Sequence, residues 1–296
     1  MRNLDLRGVL TGVMLIAWVL VGVSEVFADR LELLNGDVIT GVIERIDEHQ
    51  VVIRTDYGVL EIDRAAVRLG QFGADDSQVG DSLVMYFRFS GDLAEETGVY
   101  RATNNGMRFV ADRDGLPASA LRSDGSGTFL SISPTRELNT LNQFTIFFWV
   151  RLEDLSSTEY LLSKWTGSDG ETADGKVAVQ VAGANVTVYI VDADGVYHWV
   201  TARDVLSAQE WHALTVSFAA GRVSVYMDGE VVASQRFDFT SLYEDSAPVL
   251  LMTAVAQANE AYAYYNALGA IDELRIYSRA LSPEEVALLS GASPTE

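Results

Sequence analysis

Cysteine is absent from the 296 residues, and histidine occurs only three times. The missing thiols exclude disulfides, thiolate metal centres and cysteine nucleophiles together. His49, His198 and His212 stand far apart and form no ligand-spaced pair, so a histidine-rich zinc site has no support. Positive charge is scarce as well: 21 Lys and Arg against 42 Asp and Glu give a formal charge of −21. A field of that sign repels phosphate backbones and anionic lipid headgroups, which removes nucleic acid from the expected partners. An acidic surface also suits divalent cations or basic proteins, and it favours solubility by itself.

Long hydrophobic runs are missing too, with one exception. Gly8 to Val23 carries no charge, Arg2 and Arg7 precede it, and Val26-Phe27-Ala28 follows with small residues where a signal peptidase reads. Residues 1–28 therefore read as a secretory leader cleaved after Ala28. The alternative is an uncleaved anchor, but 16 residues fall short of the ~20 that span a bilayer. Cleavage would leave no membrane span, and without cysteine no lipoprotein anchor can form. The leader takes Arg2, Arg7, Asp5 and Glu25 with it, so the acidic excess is retained. Export without disulfides points to a secreted, periplasmic or cell-envelope protein, more in keeping with a bacterium.

Residues 29–72 read as a small β unit. Leu31 to Leu33, Val38 to Ile46, Val51 to Thr55, Val59 to Ile62 and Val67 to Leu69 are short apolar runs separated by Asn35-Gly36 and Tyr57-Gly58 turns. A unit of this size barely offsets its chain entropy by burial, so it is expected to pack on the larger region or on a copy of itself. Residues 73–80, with Gly73, Asp75, Asp76 and Ser77, have linker composition. Residues 81–291 form the large domain, and 292–296 are a tail.

Most of the large domain alternates with period two. The runs Phe144 to Leu152, Val177 to Val181, Val186 to Val191 and Val196 to Thr201 are strands, and Trp211 to Ala233 is a three-strand meander through Ala220-Gly221 and Asp228-Gly229. Near the end, Ile271, Leu274 and Ile276 supply an apolar strand. Ser282, Pro283 and Glu285 follow it as N-cap, first-turn proline and capping-box acid.

Six of these segments stand in an order that resembles the laminin G-like branch of the concanavalin A-like sandwiches. They are Tyr86-Phe87-Arg88-Phe89, Gly125-Ser126-Gly127, Phe144 to Val150, Trp211-His212, Tyr226-Met227-Asp228-Gly229 and Ile271 to Tyr277. The resemblance implies an all-β antiparallel jelly-roll sandwich closed by a short helix. The pattern Asn35-Gly36-Asp37, Thr40-Gly41 and Thr55 to Gly58 likewise looks like the SH3-like or Sm-like barrels that precede other modules in exported bacterial proteins.

The resemblance further implies a calcium ion between an acid after the opening strand and the aspartate of the closing strand, here Glu95 and Asp272. Hard cations want several oxygen ligands. The family more often has Asp-x-Ser-Gly where this chain has Glu95-Glu96-Thr97-Gly98, and the extra methylene moves the carboxylate outward. The competing reading has Asp272 accepting hydrogen bonds from loop amides. A ligand surface is expected from Asn259, Tyr262, Tyr264, Tyr265 and Asn266, where rings stack on sugars and amides read hydroxyls. The alternative is that Tyr262 and Tyr264 cover the core. Trp149 and Trp211 read as core, while Tyr197, His198 and Trp199 suit either the core or a groove on the sheet.

Catalysis finds little footing. Glycosidases need two carboxylates facing one cleft, and the neighbours Asp272 and Glu273 should point to opposite faces of a strand. No Gly-x-Ser-x-Gly elbow accompanies the histidines. The sequence thus describes an exported, non-catalytic module that binds a glycan or an envelope or matrix protein. The alternatives are an envelope assembly protein that associates through the small barrel, and a cryptic polysaccharide hydrolase.

Overall fold

The computed structural model describes residues 29–46, 50–55, 57–63, 66–71, 82–168, 173–254 and 265–291. The expected leader, linker and tail lie outside the described residues. Five strands come first: β1 (Asp29–Leu33), β2 (Val38–Ile46), β3 (Gln50–Thr55), β4 (Gly58–Asp63) and β5 (Val67–Gln71). They form an antiparallel sheet in the order β4-β3-β2-β1-β5. Leu31, Val51, Ile53 and Val67 form its buried cluster. No β4–β5 pairing closes it into a barrel among the described residues.

The large region contributes β6 (Leu83–Phe87), β7 (Ala102–Asn105), β8 (Arg108–Val110), β9 (Ala120–Asp124), β10 (Phe129–Ile132), the short helix α1 (Arg136–Thr140) and β11 (Phe144–Leu152). Next come β12 (Thr158–Ser168), β13 (Ala173–Ala182), β14 (Asn185–Val191), β15 (Tyr197–Ala202), β16 (His212–Ala219), β17 (Arg222–Met227) and β18 (Glu230–Arg236). The last elements are β19 (Val249–Leu251), β20 (Leu268–Tyr277) and α2 (Pro283–Leu289). Two antiparallel sheets result. One has seven strands in the order β15-β14-β13-β12-β19-β10-β7; the other runs β18-β17-β16-β11-β20-β9-β8, with β6 also paired to β20.

Alternation explains the sandwich. On β11, Phe144, Ile146, Phe148, Val150 and Leu152 meet Val177, Val179, Val186, Val188 and Ile190 of the opposite sheet in one continuous core. Each such side chain taken from water contributes about 1.5–3 kcal/mol before chain entropy is subtracted. The meander forms as its turns dictate. At Asp228-Gly229 both residues have positive φ, 52° and 87°, which sets the twist a two-residue hairpin needs.

The other face of β11 is covered as well. Phe147 packs with Tyr277, Leu281, Val286 and Leu289, so α2 lies on the outer side of the eight-stranded sheet. Its capping box forms as expected: the Ser282 side chain accepts from the Glu285 N–H, and Glu285 accepts from the Ser282 N–H. Trp149, expected in the core, points to this outer side and is only half-buried.

The two units touch. Leu116, in the turn between β8 and β9, is fully buried among Leu31, Val51, Ile53 and Val67 of the N-terminal sheet. Asp112 shapes that turn by accepting from the Asp114 and Leu116 N–H groups at 2.9 and 2.8 Å. Three residues before Leu116, Arg113 reaches the sandwich instead, with its guanidinium 4.6 Å from the Trp149 ring centre. No helix among the described residues is long and apolar enough to cross a membrane.

Candidate functional site

Chemistry-bearing side chains converge most densely on the outer face of the seven-stranded sheet. Val186, Val188 and Ile190 turn into the sandwich, as do Val177, Val179, Val181, Val200 and Ala202. Period-two geometry then sends Thr187, Tyr189, Ala178, Gln180, Tyr197, Trp199 and Thr201 outward. Cross-strand register orders them into rows. Tyr160, Gln180, Thr187 and Thr201 are successive partners across β12 to β15, and so are Ser163, Ala178, Tyr189 and Trp199.

The first row is polar and internally bonded. Gln180 Nε2 donates to the Tyr160 hydroxyl at 2.8 Å, Tyr189 Oη donates to Gln180 Oε1 at 3.3 Å, and the Thr187 and Thr201 hydroxyls lie 3.0 Å apart. Burial pushes the Tyr160 phenol up to about 12, so it stays neutral across the physiological range. The aromatic side is continuous. Trp165 contacts Tyr189 and Tyr197 at ring-centre distances of 6.4 and 6.3 Å, and Tyr197 contacts Trp199 at 6.2 Å. Trp199 is 56% exposed. Room for Trp165 comes from Gly175, its cross-strand partner.

Tyr265 and Asn266 join the end of this face. The Tyr265 ring is 5.8 Å from Tyr160, and Asn266 forms a parallel bridge to the same residue. Asn266 Oδ1 is buried without a hydrogen-bond partner among the described residues. Asn259, Tyr262 and Tyr264 lie outside the described residues. Tyr197 and Trp199 lie on the outer surface of the sheet, whereas His198 turns inward against Phe237 and Phe239 at 5.1 and 4.5 Å. Trp165, Tyr189, Gln180 and Tyr160 were not singled out from sequence. The Asp194-Gly195 turn carried the signal, because counting outward from it sets Tyr189 opposite Trp199.

Glu95 and Asp272 do not offer free oxygens. Glu95 Oε1 accepts from the Tyr86 and Thr97 N–H groups, and Oε2 from the Thr97 hydroxyl and the Val99 and Tyr100 N–H groups, at 2.8 to 3.3 Å. Burial alone would raise this carboxyl, but those donors together hold it below its ordinary value. Asp272 Oδ2 accepts from Arg113 Nη1 at 2.9 Å, and its Oδ1 from the Glu273 N–H at 2.8 Å. A carboxylate saturated by five protein donors and another bound to a guanidinium make a poor calcium cage as they stand. The described residues hold no group of three or more His, Cys, Asp or Glu suited to a metal ion.

Asp272 and Glu273 do not face opposite sides. The register slips where Phe147 pairs with Arg275 and Trp149 with Asp272, and Glu273 takes φ 50° in the resulting bulge. The bulge turns its carboxylate back to Arg113, 3.4 Å from Nη2, while Glu273 Oε2 lies 3.5 Å from Arg275. Arg275 is itself buried over the Tyr86 ring at 4.3 Å. Burial and the Glu273 charge push Asp272 well above the usual carboxylate range; Glu273, though partly buried, is held low by Arg113 and Arg275. The acids converge on arginines, not on an open cleft.

The remaining buried cations are structural. Lys164 Nζ donates to Asn139 Oδ1, Asp245 Oδ1 and Ala247 O at 2.9, 2.6 and 2.9 Å, three acceptors for three protons. Lys176 donates to Leu141 O and Tyr243 O at 3.0 and 2.6 Å, and burial pushes its amine down to about 8.

The fold is shared with solved binding domains. The receptor binding domain of botulinum neurotoxin C/D mosaic serotype aligns with a TM-score of 0.56 and 14% identity over 71% of this chain and 51% of that one. The binding domain of Paraclostridial Mosquitocidal Protein 1 gives 0.56 and 17% over 71% and 52%. The botulinum neurotoxin serotype D ligand binding domain in complex with N-acetylneuraminic acid gives 0.54 and 15% over 71% and 51%. This chain thus spans about half the length of those structures. At such identities the likeness is one of fold. No curated protein matches the chain. The family model for the concanavalin A-like lectin/glucanases superfamily, of laminin G type, matches residues 124–287. That match takes in more than half of the sequence and every strand from β10 to β20, so the chain belongs to the concanavalin A-like lectin/glucanases superfamily.

Proposed function

We propose that this protein is a non-catalytic recognition module that holds a glycan on the outer face of its seven-stranded sheet. The observation that carries the reading is the union of a continuous aromatic run, Trp165 to Trp199, with the internally bonded row of Tyr160, Gln180 and the two threonines. Rings cover the apolar faces of sugars, and amides and hydroxyls read their edges. The similar solved structures are binding domains, and one holds N-acetylneuraminic acid, which supports recognition as the general role. Hydrolysis is disfavoured because the convergent acids Asp272 and Glu273 are committed to Arg113. The leader-like sequence of residues 1–28 supports a role outside the cytoplasm.

A glycan array probed with wild type and Trp199→Ala protein tests the reading. Retained sugars should lose about tenfold in affinity, ~1.4 kcal/mol, in the variant. Unchanged signal, or turnover of polysaccharide by the wild type, contradicts it.

A second reading, assembly through the N-terminal unit, draws on β4. This edge strand exposes Val59 and Leu60, and Tyr57 beside it is fully exposed. Open apolar edges invite strand pairing. Sedimentation of the protein with and without residues 29–71 separates the two readings.

A further inference from the structure

We infer that the ligand is a single, neutral, unbranched saccharide chain lying across the strands and covering about four of its rings. The inference rests on the glycan reading above and specifies orientation, length, shape and charge.

Orientation and length follow from register. The polar row Tyr160, Gln180, Thr187, Thr201 advances one residue per strand, and so does the row Ser163, Ala178, Tyr189, Trp199 beside it. Neighbouring strands lie about 4.8 Å apart, so three steps cover roughly 14 Å. Each step is comparable to one pyranose unit of an extended chain. A saccharide laid along these rows meets one polar side chain per ring. Laid along a strand, it meets ring and hydroxyl positions only at every second residue. The two ends of the second row also differ. Ala178 and Ser163 are buried, and the Ser163 hydroxyl already donates to Thr253 O, while Tyr189 and Trp199 stand up, so stacking belongs to the β14–β15 end and hydrogen bonding at the β12–β13 end falls to Tyr160 and Gln180.

Shape follows from the rings. Trp165 meets Tyr189 at 77° and Tyr197 at 58°, and Tyr197 meets Trp199 at 38°. No common plane runs through them, so the flat surface of a crystalline polysaccharide can touch one ring at a time. A lone chain, free to twist, follows both the rings and the turning sheet, which rotates by about 20–25° per strand.

Charge follows from what the rows lack. None of their eight side chains is a cation, and the chain as a whole carries −21. A carboxylated or sulfated sugar would find no countercharge there and a repelling field around it. Gln180 is held between the Tyr160 and Tyr189 hydroxyls at 2.8 and 3.3 Å. It keeps one N–H and one lone pair for a neutral hydroxyl pair.

Titration calorimetry of the full chain with unbranched glucan, mannan and xylan oligomers of one to six units tests this, with a sialylated oligosaccharide and insoluble cellulose as comparators. Affinity for at least one series should rise steeply up to about four units and then level off. Trp199→Ala should weaken it about tenfold at unchanged melting temperature, with Trp199→Phe restoring part of the loss, and Gln180→Ala should weaken it about tenfold with a small drop in melting temperature from its two lost hydrogen bonds. Neither the sialylated sugar nor cellulose should be retained. Sugar binding that ignores chain length, prefers the anionic or crystalline probe, or survives both substitutions overturns the inference and leaves glycan recognition standing. Failure of the wild type to bind any saccharide ends both.

Discussion

A Cβ built on Gly175 stands 2.6 Å from the Cα of Trp165, its partner across β12 and β13. Real Cβ atoms do not come so close to a backbone atom, so the position demands glycine. Gly175→Ala should push β12 away from β13 and tilt Trp165 out of its contacts with Tyr189 and Tyr197, at a cost of about 1–3 kcal/mol. Urea unfolding with Trp emission as the probe checks both effects. Unchanged stability and spectrum would mean that the close approach is not obligatory.

Leu116 joins the two units by entering the core of the N-terminal sheet. Leu116→Ala should destabilise that sheet by about 2–5 kcal/mol and expose residues 29–71 to limited proteolysis while leaving the large sandwich intact. Equal protease resistance in wild type and variant would show that the units hold together by other contacts.

Arg113 serves Asp272 and Glu273 at once, at 2.9 and 3.4 Å. Arg113→Gln leaves buried Asp272 and partly buried Glu273 without their shared cation, and breaking a buried pair costs about 3–5 kcal/mol. Calcium, by contrast, should add nothing to wild-type melting, since Glu95 and Asp272 already bond protein donors. Calorimetric scans with and without calcium check this, and a calcium-dependent rise abolished in Asp272→Asn would establish the ion.

His212 and Asp228 form a pH-sensitive pair, with Nδ1 2.9 Å from Oδ2. The Asp228 hydrogen bond and charge raise the histidine, although its burial works the other way. Burial works to raise Asp228, but the bond from His212 leaves it below its ordinary value. The raised histidine contributes stability that is complete below its unfolded value of about 6.5 and lost as pH climbs through the folded one. The lowered aspartate contributes above its unfolded value of about 3.9, and that share is lost as pH falls through the folded one. Asp228→Asn should therefore narrow its melting deficit as pH rises above 7 and be most harmful between about pH 4 and 6.5. Asparagine tolerates the positive φ at this position, so a deficit independent of pH would refute the pairing.

The sandwich was legible because its determinants are local. The Asp228-Gly229 turn, the β11 alternation and the Ser282 to Glu285 capping box each depend on a few neighbouring residues. The bulge at Glu273 was not legible, since strand alternation predicts opposite faces and a register slip is decided by packing against β11. Trp149 misled for a related reason: alternation fixes which residues share a face but not which face meets the core, and α2 covers part of the outer one. The proposed recognition face was half legible. Tyr197 and Trp199 stood out by residue type, whereas Gln180 and Trp165 gain meaning only once four strands are in register. Closure of the small unit into a barrel rested on resemblance; the described residues show its five-stranded order alone.

The most direct test of the proposed recognition face is chemical-shift mapping of the isotope-labelled protein during titration with a soluble oligosaccharide that it retains. The account predicts that the largest shifts fall on the indole N–H of Trp165 and Trp199, the Gln180 side-chain amide and the backbone of β13 to β15. Shifts confined to the Glu95 turn, the Arg113–Asp272 cluster or the N-terminal sheet would contradict it.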